Sequence, residues 1–527
     1  MRRAAVASPA MLPSPARPRL PTEPASPRSQ RHSGANAPPS PTPRTGSTVP
    51  AGDGDCNAGR RLCPAPAGGN CTFGRRRLGP VARDLLHFSA RTRPGGGPTQ
   101  KRAAGRRQGS DTMKAESGIP TGPAGGAARA GPAGGMTAVA ARPARSSGGI
   151  VTASAHADCV STALDQIAGV LGDPGAIGFL LVFASPVYDP AGLAAGLTDR
   201  FPGIGHAGGT TAGEIGPEGL DEGSLVVVAL PRDGFVVEAA LLPDLRSFTV
   251  EQGPEIVWPL QSRLARRTAG LAEGATFAMT FLDGMCRREE VVVAALQRCL
   301  DNMPLVGGSC GDGLDFRNTW VFHDGRAWNN AGILVLIHTD HPFELIRSEH
   351  FEPTDVKLVV TECDGETRTV SEINAEPASL AYAEAVGLDG ATLGPLSFAS
   401  HPVLVRVGGE YYSRSIQKMN EDGSLSFFCA IDTGVVLTAA RPVDLVGALG
   451  RALGEVDKAV GGIEALIGFD CVLRRLDAQN RQVIRQVNDL YLKHRVVGFN
   501  TYGEQYRTMH LNQTFTGVAI GRREAHR

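Results

Sequence analysis

No run of eighteen or more apolar residues occurs in the 527-residue chain, so the sequence predicts no membrane-spanning helix. The N-terminus begins Met1-Arg2-Arg3 without the apolar segment of a signal peptide, which argues against secretion. The ten cysteines form no CxxC pair and no regular framework. They therefore predict free thiols in a reducing compartment, and we expect a cytoplasmic protein that does not insert into a membrane.

Acidic residues are scarce in the first 145 residues, although the whole chain has a formal net charge of zero. That segment holds about 23 Lys and Arg against about 6 Asp and Glu, a net charge of about +17. The rest of the chain therefore carries a charge of about −17. A mildly acidic body lacks the basic surface that nucleic acid or an anionic membrane requires, so we expect neither as a partner.

Residues 1–145 also contain no Trp or Tyr and consist mainly of Pro, Gly, Ala, Ser, Thr and Arg. Such a composition buries too little apolar surface to offset the chain entropy lost on folding, so it predicts a disordered extension. Two interpretations remain open. The segment is either a basic arm that contacts nucleic acid or lipid headgroups, or translated GC-rich sequence upstream of a true start at Met113 or Met136.

The rest of the sequence alternates helical and strand patterns. Residues 158–172 place their apolar side chains on one face of a helix, and residues 178–185 read as a buried strand. Further helices are predicted at residues 190–200, 255–274, 288–302, 378–386, 442–460 and 478–494. The strands between them form hairpins as well as βα units. The sequence therefore predicts an α+β fold of two mixed layered domains, residues 146–375 and 376–522.

Three Gly-rich turns each follow an apolar element, and each ends in a carboxylate. They cover residues 204–214, 306–312 and 497–504. The repetition predicts strand-end loops that converge on one cleft, although Gly-rich turns also recur by chance in a chain with 66 glycines.

Two Gly-rich motifs resemble known signatures but lack the context that these need. Residues 203–208 match G-x-G-x-x-G, yet they follow a polar helix end rather than a strand, which excludes a dinucleotide site. Residues 307–311 match the G-x-S-x-G turn of serine hydrolases around Ser309, but a loop and a strand follow where a helix is required. We therefore expect no enzymatic activity and keep a hydrolase centred on Ser309 as a minor alternative.

A cluster of potential metal ligands follows a predicted strand. It comprises His338, Asp340, His341 and Glu344. One strand end rarely directs four groups at a single ion, so we interpret the histidines as surface residues and expect no metal.

The Gly-rich turns belong to a longer series of short motifs that resembles the FIST family, over nearly the whole chain after about residue 150. In the N-terminal part the motifs are residues 209–215 (GTTAGEI), 281–284 (FLDG) and 304–312 (PLVGGSCGD). In the C-terminal part they are residues 401–402 (HP), 412–416 (YSRSI), 420–423 (NEDG), 500–504 (NTYGE) and 510–514 (HLNQT). One departure is Gly208, where family members often carry Cys.

The resemblance implies a FIST N and a FIST C domain in a bacterial sensory protein that binds a small, amino acid-like ligand and signals through a separate protein. We expect the ligand in a cleft between the two domains. Neutral hydrogen bonds would come from Thr210, Thr211, Ser309, Tyr502, Asn512 and Thr514. Glu214, Asp283, Asp312 and Glu504 would engage an ammonium group, and Arg414 would hold a carboxylate in a bidentate pair.

One branch of the family, the NosP proteins, implies an alternative. These proteins bind haem, sense nitric oxide and regulate a partner histidine kinase. A neutral histidine would ligate the iron here, with His323, His401 and His510 as the candidates. Because the chain has no CxxCH motif, the haem would be bound non-covalently.

Overall fold

The computed structural model describes residues 144–145, 149–271, 274–390 and 393–523. Mixed sheets and helices fill this part of the chain and confirm the predicted α+β class. The predicted disordered extension lies outside the described residues, except that Ala144–Arg145 forms a short strand, β1. None of the described helices is long and apolar enough to cross a membrane.

The first of three similar units spans residues 151–231. Its elements are β2 (Val151–Ala155), α1 (Val160–Leu171), β3 (Ile177–Ala184), α2 (Pro190–Arg200), β4 (Gly205–Thr210), the hairpin strands β5 (Glu214–Gly216) and β6 (Gly219–Asp221), and β7 (Leu225–Pro231). Strands β3 and β4 pair in parallel, β7 lies antiparallel on the other side of β3, and β2 pairs with β7. The helix α2 begins where the Asp189 carboxylate accepts the Gly192 N–H at 2.7 Å.

The second unit, residues 235–339, repeats this order. Its elements are β8 (Phe235–Leu242), α3 (Gly253–Thr268), β9 (Ala275–Leu282), α4 (Glu289–Leu300), β10 (Leu305–Ser309), the hairpin strands β11 (Val321–His323) and β12 (Arg326–Trp328), and β13 (Gly332–Thr339). Strands β9 and β10 are parallel, β13 is antiparallel to β9, and β8 pairs with β13.

The third unit begins with β14 (Phe343–Ser348), after which residues 351–442 form an inserted domain that we call the insert. It contains β15 (Phe351–Asp364), β16 (Thr369–Ile373), β17 (Glu376–Pro377), α5 (Ala378–Val386), α6 (Pro395–Ser400), β18 (Val403–Val407), β19 (Glu410–Arg414), β20 (Ile416–Met419), β21 (Leu425–Phe427) and β22 (Val436–Pro442). Its sheet has the order β19-β18-β22-β15-β16-β21-β20. Only Ser415 separates the two strands at the ends of this order, so the sheet curls towards closure.

The third unit resumes after the insert. It continues with α7 (Leu445–Ala459), β23 (Ile463–Cys471), α8 (Val472–Asn480), α9 (Ile484–Lys493), β24 (Val496–Thr501), the hairpin strands β25 (Glu504–Tyr506) and β26 (Met509–Leu511), and β27 (Phe515–Gly521). The single helix predicted at residues 478–494 is wrong. Gln482 adopts a left-handed φ of 60° and separates α8 from α9. Neither Gly nor Pro occurs in this stretch to indicate the break.

The three units interlock because a hairpin strand of each unit pairs with the sheet of another unit. Strand β5 of the first unit pairs with β24 of the third, β25 of the third pairs with β10 of the second, and β11 of the second pairs with β4 of the first. The result is three sheets in a ring, which we call the barrel. Its units match residue by residue in places: Thr211 and Glu214 correspond to Thr501 and Glu504, which follow them by 290 positions.

The core lies where the three sheets face one another. Phe183, Phe281 and Phe499, one from each unit, meet there, with ring centroids 5.1 Å apart for Phe183–Phe499 and 6.0 Å for Phe183–Phe281. All three side chains are fully or almost fully buried. Burial of each stabilises the fold by roughly 1.5–3 kcal/mol. The helices cover the outer faces of the sheets, where separate apolar clusters form.

The spatial division of the described chain differs from the expected sequence division at residues 375 and 376. The barrel takes residues 151–348 and 443–521, whereas the insert begins at β15, before that boundary. The insert therefore interrupts the third unit rather than following a completed N-terminal domain.

Candidate functional site

The three Gly-rich turns meet at one end of the barrel, at a place that we call the crown. Each turn is hydrogen-bonded to its neighbour through the backbone. The contacts are from Ala212 N–H to Asn500 O (2.9 Å), from Gly311 N–H to Thr210 O (3.0 Å), and from Tyr502 N–H to Ser309 O (3.1 Å). The predicted convergence of the three turns is therefore confirmed.

Two equivalent glutamates lie buried in the crown. The Glu214 carboxylate accepts hydrogen bonds from the Thr211 hydroxyl, from Ser224 N–H at 3.0 Å and from the Ser224 hydroxyl at 3.1 Å. Burial raises the pKa of Glu214 to about 7, although these hydrogen bonds act to lower it.

Glu504 repeats this arrangement in the third unit. Its carboxylate accepts from the Thr501 hydroxyl, from Thr514 N–H at 3.1 Å and from the Thr514 hydroxyl at 2.7 Å. Burial raises the pKa of Glu504 to about 8, against the same kind of hydrogen bonds. Each oxygen of both carboxyl groups has a partner inside its own unit. These contacts tie each turn to the strand that follows it and leave the ammonium-binding role without structural support.

The second unit uses aspartates instead. Asp283 accepts from Met285 N–H at 2.8 Å, from Asn330 N–H at 2.5 Å and from the Thr319 hydroxyl. Asp312 accepts from the backbone N–H groups of the following loop and from the Tyr502 hydroxyl. The backbone donors are Phe316 (2.9 Å), Arg317 (2.8 Å) and Asn318 (2.8 Å). Both aspartates therefore stabilise loops of the crown.

A second polar group lies between the barrel and the insert, and we call it the interface cluster. It comprises Glu289, Glu290, Arg368, Arg414, Ser415, Cys429, His510 and Asn512. Arg368 of the insert donates to Glu289 at 2.8 Å and to Glu290 at 2.7 Å, both at the start of α4. Glu290 also accepts Ala430 N–H of the insert at 2.6 Å. The opposite charges hold the two domains together at this point.

His510 is the buried imidazole of the interface cluster and is 2% exposed. Its Nδ1 lies 3.3 Å from Gln505 Nε2, which also donates to Ser309 Oγ at 3.0 Å. An amide donor at Nδ1 leaves the ring proton on Nε2. Burial lowers the pKa of His510, against the charges of Glu290 and Glu289, so the neutral ring is favoured.

Several buried polar atoms near His510 have no hydrogen-bond partner among the described residues. They are His510 Nε2, Asn512 Oδ1 and Ser415 Oγ. An unsatisfied buried polar atom costs about 1–3 kcal/mol. Such a group marks a place where a polar molecule would supply the missing bonds.

The structure divides the predicted site residues between two places. Arg414, His510 and Asn512 belong to the interface cluster, where the charge of Arg414 acts on His510 and Cys429. The others lie in the crown, and their contacts are internal. Thr210 Oγ1 accepts Trp320 N–H at 3.0 Å, Thr211 and Thr514 donate to the buried glutamates, and Tyr502 donates to Asp312 and to Gly313 O.

Sequence reasoning misses the charged half of the interface cluster. Glu289, Glu290 and Arg368 carry no motif, and Arg368 stands far from the other two in sequence. Gln505 directly follows the motif at residues 500–504. The one sequence feature that could have indicated this part of the cluster is the adjacent pair Glu289 and Glu290, at the start of the helix predicted at residues 288–302.

The three haem candidates lie on different elements. His323 ends β11, with Nε2 3.4 Å from Asp324 Oδ2, and His401 Nδ1 lies 3.1 Å from Ser397 O in the insert. His510 Nε2 packs against the backbone of Gly503, where a Cβ would lie 2.6 Å from that nitrogen. The Gly503 contact covers one side of the His510 ring, and no contact among the described residues singles out any of the three histidines as an iron ligand. No group of three or more potential metal-binding side chains occurs in the part of the chain that the structure describes.

The histidines near residue 340 correct one interpretation. His341 is 3% exposed, so its assignment to the surface is wrong. Its Nδ1 lies 3.0 Å from Gly521 O and 3.5 Å from Glu464 Oε2. The ring therefore joins the end of β13 to the last barrel strand, a long-range contact that local sequence does not encode.

The structure around Ser309 and residues 203–208 agrees with the sequence analysis, which expected neither a hydrolase turn nor a dinucleotide-binding turn there. Ser309 is fully buried at the end of β10, and a loop rather than a helix follows it. Residues 203–208 lead into β4, which ends in a loop and a hairpin. Neither the strand-to-helix turn of a serine hydrolase nor that of a dinucleotide site is present at these positions.

Comparison with known proteins identifies the two parts of this fold. The FIST N domain matches residues 178–376, and the FIST C domain matches residues 378–507. No curated protein matches the chain significantly. The two matched domains adjoin in the order that the motifs indicated and together span most of the barrel and the insert. The chain belongs to the FIST family.

Proposed function

We propose that this protein is a small-ligand-binding sensor in signal transduction, and that its ligand binds at the interface cluster. FIST domains are associated with sensory roles and small-ligand binding, which supports the class of function. The observation that carries the location is the group of buried polar atoms without partners around His510. A bound polar molecule would replace the hydrogen bonds that these atoms lose to burial.

The chemistry of the cluster favours a small polar ligand with a carboxylate. Arg414 forms no ion pair with any described residue, and its positive charge helps to lower the pKa of His510. A guanidinium binds a carboxylate through two parallel hydrogen bonds. His510 Nε2–H would add a donor and Asn512 Oδ1 an acceptor, which suits a ligand that also carries an amine or hydroxyl group.

We propose that the protein acts without catalysis and passes the signal to a separate protein by contact, in the cytoplasm. A histidine kinase is the partner class that the haem-binding branch implies. Pull-down with an immobilised kinase core, in the presence and absence of ligand, would test that step.

A thermal-shift screen tests the proposal directly. Amino acids and amines are assayed first on the full chain, and ligand binding to the native state alone raises the melting temperature. Asn512→Ala and Arg414→Gln should abolish the upshift, whereas Asn480→Ala, an exposed amide outside the cluster, should retain it. An upshift that survives both cluster substitutions would place the ligand elsewhere.

The haem alternative has its own readout. Protein expressed with haem precursor would show a Soret band, and nitric oxide would shift it, if the protein binds haem. Loss of that band in one of His323→Ala, His401→Ala or His510→Ala would identify the ligand. Because no contact of the three histidines singles out an iron ligand, we expect no band.

A further inference from the structure

The insert joins the barrel through only two chain crossings, which lie side by side. The chain enters the insert at His350 and leaves it at Val443, and Val443 N–H donates to His350 O at 2.8 Å. The first register pair of the insert, Phe351 with Pro442, follows immediately. Two adjacent crossings form a narrow connection about which a domain can pivot.

The barrel side of this connection is fixed. His350 Nε2 lies 3.2 Å from Asp477 Oδ2, and its Nδ1 lies 2.9 Å from Arg474 Nη1. Asp477 and Arg474 both belong to α8 of the barrel. The crossing is therefore anchored to the barrel. The insert also contacts the barrel at α6, where Ser400 Oγ donates to Asp477 Oδ1 at 2.7 Å, and at Phe428, which packs against Tyr502.

A polar latch holds the insert at a further point. Arg368 and Ala430 of the insert bind Glu289 and Glu290 at the start of α4. Arg368 also donates to Phe428 O within the insert. The latch thus connects one barrel helix to two loops of the insert, and its charged residues are part of the interface cluster.

The closed position hides the cluster on both sides. Ser415 and Cys429 come from the insert, His510 and Asn512 come from the barrel, and all four are buried. A ligand can reach these atoms only when the two domains separate. The unpartnered polar atoms also make the closed interface less favourable than a fully hydrogen-bonded one.

We propose that the insert is a hinged lid that pivots at His350 and Val443. The ion pairs of Arg368 with Glu289 and Glu290 hold it shut, together with the packing of Phe428 and α6 on the barrel. A carboxylate ligand that reaches Arg414 also competes with Glu290 for Arg368, so occupancy changes the lid position. The gating of a ligand rests on the proposed function, whereas the opening of the lid does not.

Hydrogen exchange of the full chain without any added ligand tests the lid. In Arg368→Gln, backbone amides of residues 509–514 and 425–430 should exchange at least tenfold faster than in wild type. Amides of β9 in the barrel core should be unchanged. Arg441→Gln is the matched control, because it removes an exposed ion pair with Glu352 inside the insert (2.6 Å). Glu290→Gln, which keeps an acceptor for Ala430 N–H, should show the same pattern to a smaller extent.

Each outcome decides the proposal. Selective acceleration in Arg368→Gln and Glu290→Gln, absent in Arg441→Gln, supports the lid. Rates equal to the control overturn it, and so does acceleration that extends to β9, since Arg368 would then stabilise the whole fold. If Arg368→Gln fails to fold, Glu290→Gln decides alone. A failed ligand screen with selective exchange would reject the sensor and retain the lid.

Discussion

At the scale of single residues, the crown is built from carboxyl groups that meet hydroxyls and backbone amides rather than cations. Glu214 and Glu504 have folded-state pKa values of about 7 and 8, both raised by burial. Between about pH 4.5 and these values the folded state therefore binds more protons than the unfolded state. Their contribution to stability is complete below about pH 4.5 and is lost as the pH rises through the folded-state values.

The melting temperature of the wild type should accordingly fall between about pH 5 and about pH 9. Glu504→Gln and Glu214→Gln keep the shape of the protonated acid and cannot ionise, so each should flatten this decline by an amount on the order of 3–5 kcal/mol. Differential scanning fluorimetry across the pH range measures the effect, with the exposed Glu344→Gln as control. A decline as steep in both crown variants as in wild type would show that these carboxyls are ionised in the fold.

The crown also depends on two equivalent glycines. Gly208 has a φ of 157° and Gly498 a φ of 156°, and a Cβ at either position would lie 1.8 Å from a carbonyl oxygen of the parallel neighbour strand. This backbone explains why no Cys could stand at Gly208 in the present arrangement. Gly498→Ala should lower the free energy of unfolding by more than about 3 kcal/mol.

Chemical denaturation of Gly498→Ala measures this loss. Gly454→Ala is the control, because a Cβ added to Gly454 in α7 would meet no other atom within 4 Å. That substitution should stabilise the protein by about 0.5–1 kcal/mol, since alanine favours the helix. Similar effects of the two substitutions would mean that β23 and β24 do not approach each other this closely.

At the scale of elements, the sequence predicts the helices, strands and turns that depend on neighbouring residues. It does not predict which strands pair with the sheet of another unit. The strand at residues 178–185, the helix at residues 190–200 and the three Gly-rich turns are predictable because their periodicity and turn residues lie within a few positions. The pairing of β5 with β24 joins residues more than 280 positions apart, and no local pattern encodes it. The break at Gln482 is unpredictable for a related reason, since tertiary packing rather than Gly or Pro imposes it.

Prediction of the site residues from the sequence has the same limit. A family motif indicates His510 and Asn512, but their neighbours Glu289, Glu290 and Arg368 come from other parts of the chain. Conversely, Glu214 and Glu504 resemble ligand contacts in the sequence because one oxygen of each carboxylate is satisfied by a residue ten positions away, Ser224 or Thr514.

At the scale of the whole molecule, the barrel consists of three interlocked units, and the insert brings a second surface to the crown. Protein that starts at Met136 retains every described element, so we predict the same melting temperature as for the full chain. Thermal denaturation of both proteins checks this. A loss of more than a few degrees would show that the preceding residues pack against the body.

The central claim is that a small polar ligand binds between barrel and insert at the interface cluster. The most direct measurement is a crystal structure with the first ligand that raises the melting temperature in the screen. We predict ligand density within hydrogen-bond distance of His510 Nε2 and Asn512 Oδ1, with a carboxylate at Arg414. Ligand bound at any other place, with these atoms still without partners, would contradict it.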